Sequence, residues 1–164
     1  MKPEFPDPRD IAFRTPAGFL AFGFGSGLVP LAPGTAGTLA AIPFGILLMA
    51  IPIYWQWLAV VVAFFLGIWI CQRATDQLGV HDHGGIVWDE MVGFWLVLMF
   101  VPPTLAGFSG AFVLFRLFDI VKPWPIRWLD RKLKGGLGIM LDDVVAAVFA
   151  ILVWLLAGRI LQSI

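Results

Sequence analysis

The stretch Gly37–Cys71, GTLAAIPFGILLMAIPIYWQWLAVVVAFFLGIWIC, contains no charged residue. It lies within a run of 58 uncharged positions between Arg14 and Arg73. A helix crosses the hydrocarbon of a bilayer with ~20 apolar residues. Residues 37–71 therefore have room for two short helices and a tight turn. Pro52 marks the turn, because proline breaks the helical hydrogen-bond ladder. Tyr54, Trp55 and Trp57 follow at once, and such rings settle at a membrane–water interface. The front of the run, Gly18 to Pro33, is broken by Gly and Pro.

The rest of the chain repeats the pattern. A second charge-free run, Met91 to Phe115, is interrupted by Pro102, Pro103 and Gly107. It reads as a pair of short helices, about Ile86–Val101 and Leu105–Val121. A third run follows Asp143, with Arg159 able to snorkel. Lys and Arg decide between one span and two in the middle run. Residues 1–36, 72–90 and 116–143 carry 3, 1 and 6 of the 11 Lys/Arg residues. Cytoplasmic loops concentrate these residues. Two hairpins place all three segments on the cytoplasmic side, whereas a single span would put six basic residues outside. The expected fold is all-α: a small polytopic helical membrane protein with two helical hairpins, a C-terminal helix and a short amphipathic interfacial helix. Some hairpin helices are short enough to be half-embedded. Residues 1–164 form a single integral-membrane domain in this reading, with residues 1–14 flexible. No cleaved signal peptide is evident in the proline-rich, mixed-charge start. Thr15-Pro16 reads as a capped helix start.

Composition agrees. The chain of 164 residues is 60% hydrophobic and 13% charged, with eight Trp and fifteen Phe. Soluble domains run at about 25% charged. An ordinary soluble domain, a disordered chain and a disulfide scaffold are excluded, the last because Cys71 is alone. Net charge is zero, so no global basic field exists to hold nucleic acid.

The acidic residues gather in three motifs: Asp89-Glu90 in GIVWDEMVG (85–93), Asp119 in FRLFDIVKP (115–123), and Asp142-Asp143 in GLGIMLDD (136–143). Carboxylates in the first turn of a helix are stabilised by its macrodipole, by ~0.3–1 kcal/mol each. Both acidic pairs read as first-turn pairs, so capping competes with chemistry at each. Asp119 falls near a helix C-terminus, where a carboxylate is disfavoured, and Arg116 lies three residues before it. Five carboxylates from three segments suit a hard cation. Mg²⁺ takes oxygen ligands and is commonly held by one or two carboxylates plus substrate phosphate. Adjacent helical residues diverge by about 100°, so each pair offers one direct ligand and one supporting or basic group. Arg116 and Lys122 would face the phosphate.

Two further motifs stay open. Leu31-Ala32-Pro33-Gly34-Thr35-Ala36-Gly37-Thr38 offers glycines and two hydroxyls at a helix start, which can cradle an anion. It can equally be a capped helix with small residues for close packing. Trp124–Lys134 sets Ile126, Leu129 and Leu133 on one helical face and Arg127, Arg131 and Lys134 on the other. That is either a basic amphipathic helix on an anionic membrane surface or a solvated loop with two anchoring Trp rings. Other chemistries lack their residues. Gln77 stands where a cysteine phosphatase would need Arg after Cys71, and no Asp-x-Asp occurs. His81 and His83 are the only histidines, too close together for a two-histidine lipid phosphatase.

These motifs, in this order, resemble the phosphatidylglycerophosphatase A family over about Gly23 to Ala147. The resemblance rests on Gly27–Thr35 with Gly37-Thr38, on Ile86–Gly93, and on Phe115–Pro125 continuing to Gly138–Asp143. Ala36 stands where the family often has a bulky residue, and Thr38 where it has serine. The resemblance implies an all-helical, Mg²⁺-dependent inner-membrane phosphatase. Its substrate would be the anionic lipid phosphatidylglycerophosphate, and its products phosphatidylglycerol and phosphate. The family's acidic positions fall on Asp89, Glu90, Asp119, Asp142 and Asp143, its basic ones on Arg116 and Lys122, with Asp82 a further polar match. The expected metal ligands come from Asp89, Asp119, Asp142 and Asp143. Glu90 or Asp119 would be the base, and Arg116, Lys122, Thr35 and Thr38 would hold phosphate. An undecaprenyl-pyrophosphate phosphatase or a small ion or lipid carrier are the alternatives.

Overall fold

The computed structural model describes residues 6–80 and 83–162. His81 and Asp82 lie outside the described residues. Among the described residues, eight helices follow in order: α1 (Pro8–Arg14), α2 (Pro16–Ala21), α3 (Pro33–Met49), α4 (Ile53–Leu78), α5 (Trp88–Leu98), α6 (Leu105–Val121), α7 (Ile126–Lys132) and α8 (Gly135–Gln162). A 3₁₀ segment at Gly23–Leu28 bridges α2 and α3. No strand occurs among the described residues.

The first hairpin turns at Pro52, which precedes α4 as its N-cap. Thr15 caps α2, its hydroxyl accepting from the Gly18 N–H, with Pro16 in the first turn. Near the N-terminus α1 buries Ile11 and Ala12. Two helices, Ile53–Leu78 and Gly135–Ile160, are long and apolar enough to cross a membrane. At 1.5 Å rise per residue, 26 residues span about 39 Å, against about 30 Å of hydrocarbon. The surplus falls where α4 carries Gln72, Arg73 and Asp76 and where α8 carries Asp142 and Asp143.

The second hairpin departs from expectation. Leu105–Val121 holds as α6, but α5 runs only from Trp88 to Leu98, about 17 Å. It is buried nearly all round and packs against α3, α4, α6 and α8. A helix apolar on every side belongs at the centre of a bundle. Two buried indoles pin it there. Trp88 Nε1 donates to the Ala63 carbonyl at 3.0 Å, and Trp95 Nε1 to the Ala41 carbonyl at 2.9 Å. Buried indole N–H groups need such partners.

α8 also begins earlier than the charge pattern suggested. Its first residue is Gly135, so Asp142 and Asp143 lie about two turns inside it and no acid occupies its first turn. The Gly136 N–H donates to Gln72 Oε1 at 2.9 Å, and the Ile68 carbonyl lies 1.9 Å from where a Gly136 Cβ would sit. Only a residue without a side chain lets α8 start flush against α4. The macrodipole acts over the first turn. Capping therefore does not account for Asp142-Asp143.

The hairpin turns before Ile53 and Leu105 share one end of the bundle. The α4 C-terminus, α5 N-terminus, α6 C-terminus and α8 N-terminus share the other.

Candidate active site

At that second end, the first turn of α5 contributes Asp89 and Glu90. The last two turns of α6 contribute Arg116 and Asp119, and its C-cap is Lys122. α8 contributes Asp142 and Asp143. All seven line one cavity of about 440 Å³, together with Asp130 from α7.

The carboxylates divide into two kinds. Asp89, Glu90 and Asp143 each offer an oxygen within 4.8 Å of the other two. Asp89 Oδ1, Glu90 Oε2 and Asp143 Oδ2 are buried and accept no hydrogen bond from the described residues. Three acceptor-only oxygens crowded away from water are a costly arrangement unless a cation or protons join them. Asp119 and Asp142 are instead engaged by cations. Asp119 accepts from Arg116 Nη1, and Asp142 from Lys122 Nζ. Arg116 Nη1 also lies 3.7 Å from Glu90 Oε1, so one guanidinium joins the two groups.

Lys122 holds an unusual position. Its backbone is left-handed, with φ 44° and ψ 62°. A non-glycine residue there carries about 1–3 kcal/mol of strain, which surrounding contacts must over-determine. Two carboxylates supply those contacts: Asp142 and Asp130, the latter 3.1 Å from Nζ. Burial alone would depress the Lys122 ammonium, but Asp142 and Asp130 outweigh it and hold its pKa above the ordinary lysine value. Lys122 is thus charged at any physiological pH.

Asp130 is the site residue that sequence reasoning missed. It sits between Arg127, three residues before it, and Lys134, four residues after it, where an acid reads as a surface partner for either. The turn over Pro123-Trp124-Pro125 swings α7 back, so that Asp130 faces the α6 C-cap. Because Asp142 still holds Lys122, Asp130→Asn is expected to raise KM about two- to fivefold with little change in kcat. Steady-state kinetics would check this.

Thr35 and Thr38 do not line the cavity. The Thr38 hydroxyl donates to the Gly34 carbonyl at 2.9 Å within α3. The residue of this motif that reaches the site is Gly34. A Cβ there would stand 2.1 Å from Glu90 Oε1 and 3.1 Å from each terminal nitrogen of Arg116. The α3 start is a wall against which Glu90 and Arg116 are set. Gly93 plays a similar part lower down, where a Cβ would meet the Phe115 ring at 2.8 Å and the Asp143 carbonyl at 3.2 Å. It lets α5 approach α6 and α8 closely enough for the three acidic groups to meet.

The family model described as Phosphatidylglycerophosphatase A matches residues 19–158. A phosphatidylglycerophosphatase A of Escherichia coli (strain K12) is 46% identical over 151 residues, covering 88% of each chain. One from Haemophilus influenzae is 47% identical over 149 residues, covering 88% of this chain and 90% of its own. A Bacteroides thetaiotaomicron protein named "Putative phosphatidylinositol-3-phosphatase" is 44% identical over 136 residues, covering 78% of this chain and 84% of its own. No solved structure matches the chain. The match covers every helix that builds the cavity, and the chain belongs to the phosphatidylglycerophosphatase A family and is a phosphatase.

Proposed function

We propose that the protein hydrolyses phosphatidylglycerophosphate to phosphatidylglycerol and inorganic phosphate in glycerophospholipid biosynthesis, using Mg²⁺. The observation that carries this reading is the cavity itself: three carboxylates, each with a buried, unpartnered oxygen, beside two positioned cations. The donor set fits a hard divalent cation, because all its atoms are carboxylate oxygens. Asp89, Glu90 and Asp143 would hold it. Asp119 and Asp142, which the sequence also offered as ligands, are occupied by Arg116 and Lys122 and would orient them. When bound, the ion would supply neutralisation of phosphate charge and lower the pKa of a coordinated water.

The chain's own residues account for the remaining steps. Arg116 presents a fork and Lys122 a point charge to the phosphate oxygens. Both are set before substrate arrives, so little reorganisation is needed as charge develops. Asp119 and Glu90 both lie at the guanidinium; with Glu90 holding the ion, Asp119 would take the proton of an attacking water. The water oxygen forms a bond to phosphorus as the ester P–O bond breaks. The abstracted proton then goes to the departing glycerol oxygen. Lys/Arg residues around the cavity support a cytoplasm-facing site in a bacterial inner membrane, where the anionic lipid substrate would meet it.

Phosphate release from short-chain phosphatidylglycerophosphate in detergent tests the reading. Release should fall to background with EDTA and return with Mg²⁺. The Bacteroides relative makes phosphatidylinositol-3-phosphate the comparison substrate. Faster turnover of that lipid would replace the proposed substrate and leave the site intact. Release unaffected by EDTA would remove the metal.

A further inference from the structure

α7 has seven residues, too few to be helical without docking. Only Ile126 within it is fully buried, with Leu129 half-buried beside it. Its outward surface combines two features that water does not favour together. Trp124 is 80% exposed and Trp128 51% exposed. Arg127, Arg131, Lys132 and Lys134 are exposed around them. The segment's single acid, Asp130, is turned inward to Lys122 at 3.1 Å. The four cations therefore have no ion-pair partner among the described residues. Arg127 donates to the Val121 carbonyl, closing the α6 C-terminus, and Lys132 Nζ stands 5.6 Å over the Trp128 ring.

The depth of this surface follows from its neighbour. α8 starts at Gly135, three residues after α7 ends, and Gly135–Ile160 is a candidate span. From Val144 to Gln162 the helix covers about 28 Å, close to the hydrocarbon thickness. α7 packs against α8, and Leu133, just after α7, meets Gly138 in the N-terminal part of α8, which a span from Val144 to Gln162 would leave at headgroup level. Indoles partition to that level, and clustered Lys/Arg residues there are drawn to anionic lipid. Asp130 and Leu133 on the inner side line the cavity, so whatever binds the outer side lies at its mouth.

We infer that Trp124 and α7 form a docking surface for anionic phospholipid headgroups at the mouth of the cavity. This rests on reading the cavity as a lipid-phosphate site. Docking would hold the cavity open to the lipid layer that contains an anionic lipid substrate.

The test uses the full chain in nanodiscs of phosphatidylcholine, with and without phosphatidylserine. Hydrogen exchange at residues 124–134 should slow about tenfold when the anionic lipid is present. High salt should reverse this. The Arg131→Gln, Lys132→Gln, Lys134→Gln variant should lose the difference, and Arg131→Lys should keep it. Equal exchange in both nanodiscs, or an undiminished difference in the triple variant, overturns the proposal. So does protection that requires an added protein instead of lipid. Phosphate release from short-chain substrate in neutral detergent is scored separately. Its absence in the wild-type protein would remove the phosphatase reading without touching the exchange result.

Discussion

Asparagine at Asp89 or at Asp143 is expected to lower phosphate release by about a hundred- to a thousandfold, while the protein stays folded in detergent. Asparagine keeps the side chain's shape but replaces one acceptor oxygen with a donor NH₂. Both residues place an oxygen in the buried trio with Glu90, and that oxygen is unpartnered in each case. The substitution therefore removes a charge from a site built only of acceptors. A second readout separates function from folding. Neutralising one of three crowded carboxylates relieves repulsion, so Tm without divalent ion should rise or hold. The Mg²⁺-induced rise in Tm should shrink, because an ion stabilises a fold only as far as it binds it. Asp76→Asn, on the exposed face of α4, should leave both quantities unchanged. Wild-type turnover in both site variants, or an undiminished Mg²⁺ shift, would sink the trio.

The trio was only partly legible in the sequence. Asp89, Glu90 and Asp143 stood out as acids beside apolar runs, because a charge at the edge of hydrocarbon needs a reason. Their grouping did not show. In the chain alone Asp89-Glu90 and Asp142-Asp143 read alike, as acidic pairs at helix starts. The sorting into free and engaged carboxylates comes from the cations. Arg116 reaches Asp119 along its own helix, which i,i+3 spacing foretells. Lys122 reaches Asp142 across 20 residues, which no local rule foretells. The start of α8 was misplaced for a related reason. Gly135-Gly136 looks like a helix breaker until α4 is known to lie against it.

The helices themselves were more readable. Pro52 turned the first hairpin, and α6 took the expected bounds. Long apolar stretches between proline and glycine leave few alternatives to a helix. The exception, α5, is instructive. Its sequence is apolar on every side, which fits lipid contact and protein burial equally. Burial was decided by elements far away in sequence, α3, α4 and α8. The shortest hairpin helix is consequently the central one, and its first turn carries the site.

Gly34→Ala is expected to reduce kcat about a hundredfold, although it removes no charge and touches no acid in sequence. The added methyl would stand 2.1 Å from Glu90 Oε1, far inside van der Waals contact. It cannot retreat, since Gly34 lies in the first turn of α3 and its carbonyl holds the Thr38 hydroxyl. Glu90 or the start of α3 must move instead. Glu90 belongs to the trio and lies 3.7 Å from Arg116, so its displacement disturbs the acidic and the cationic halves of the cavity together. Displacing a reacting group by about 1 Å can cost ~10²-fold. KM for short-chain substrate should change less than kcat, because Lys122 and its partners are remote from the methyl. Glycine thus does for this site what no polar residue could, by leaving a gap of one methyl group in which a carboxylate and a guanidinium meet. Wild-type kcat in Gly34→Ala, with the fold intact by circular dichroism, would show that the α3 wall does not position Glu90.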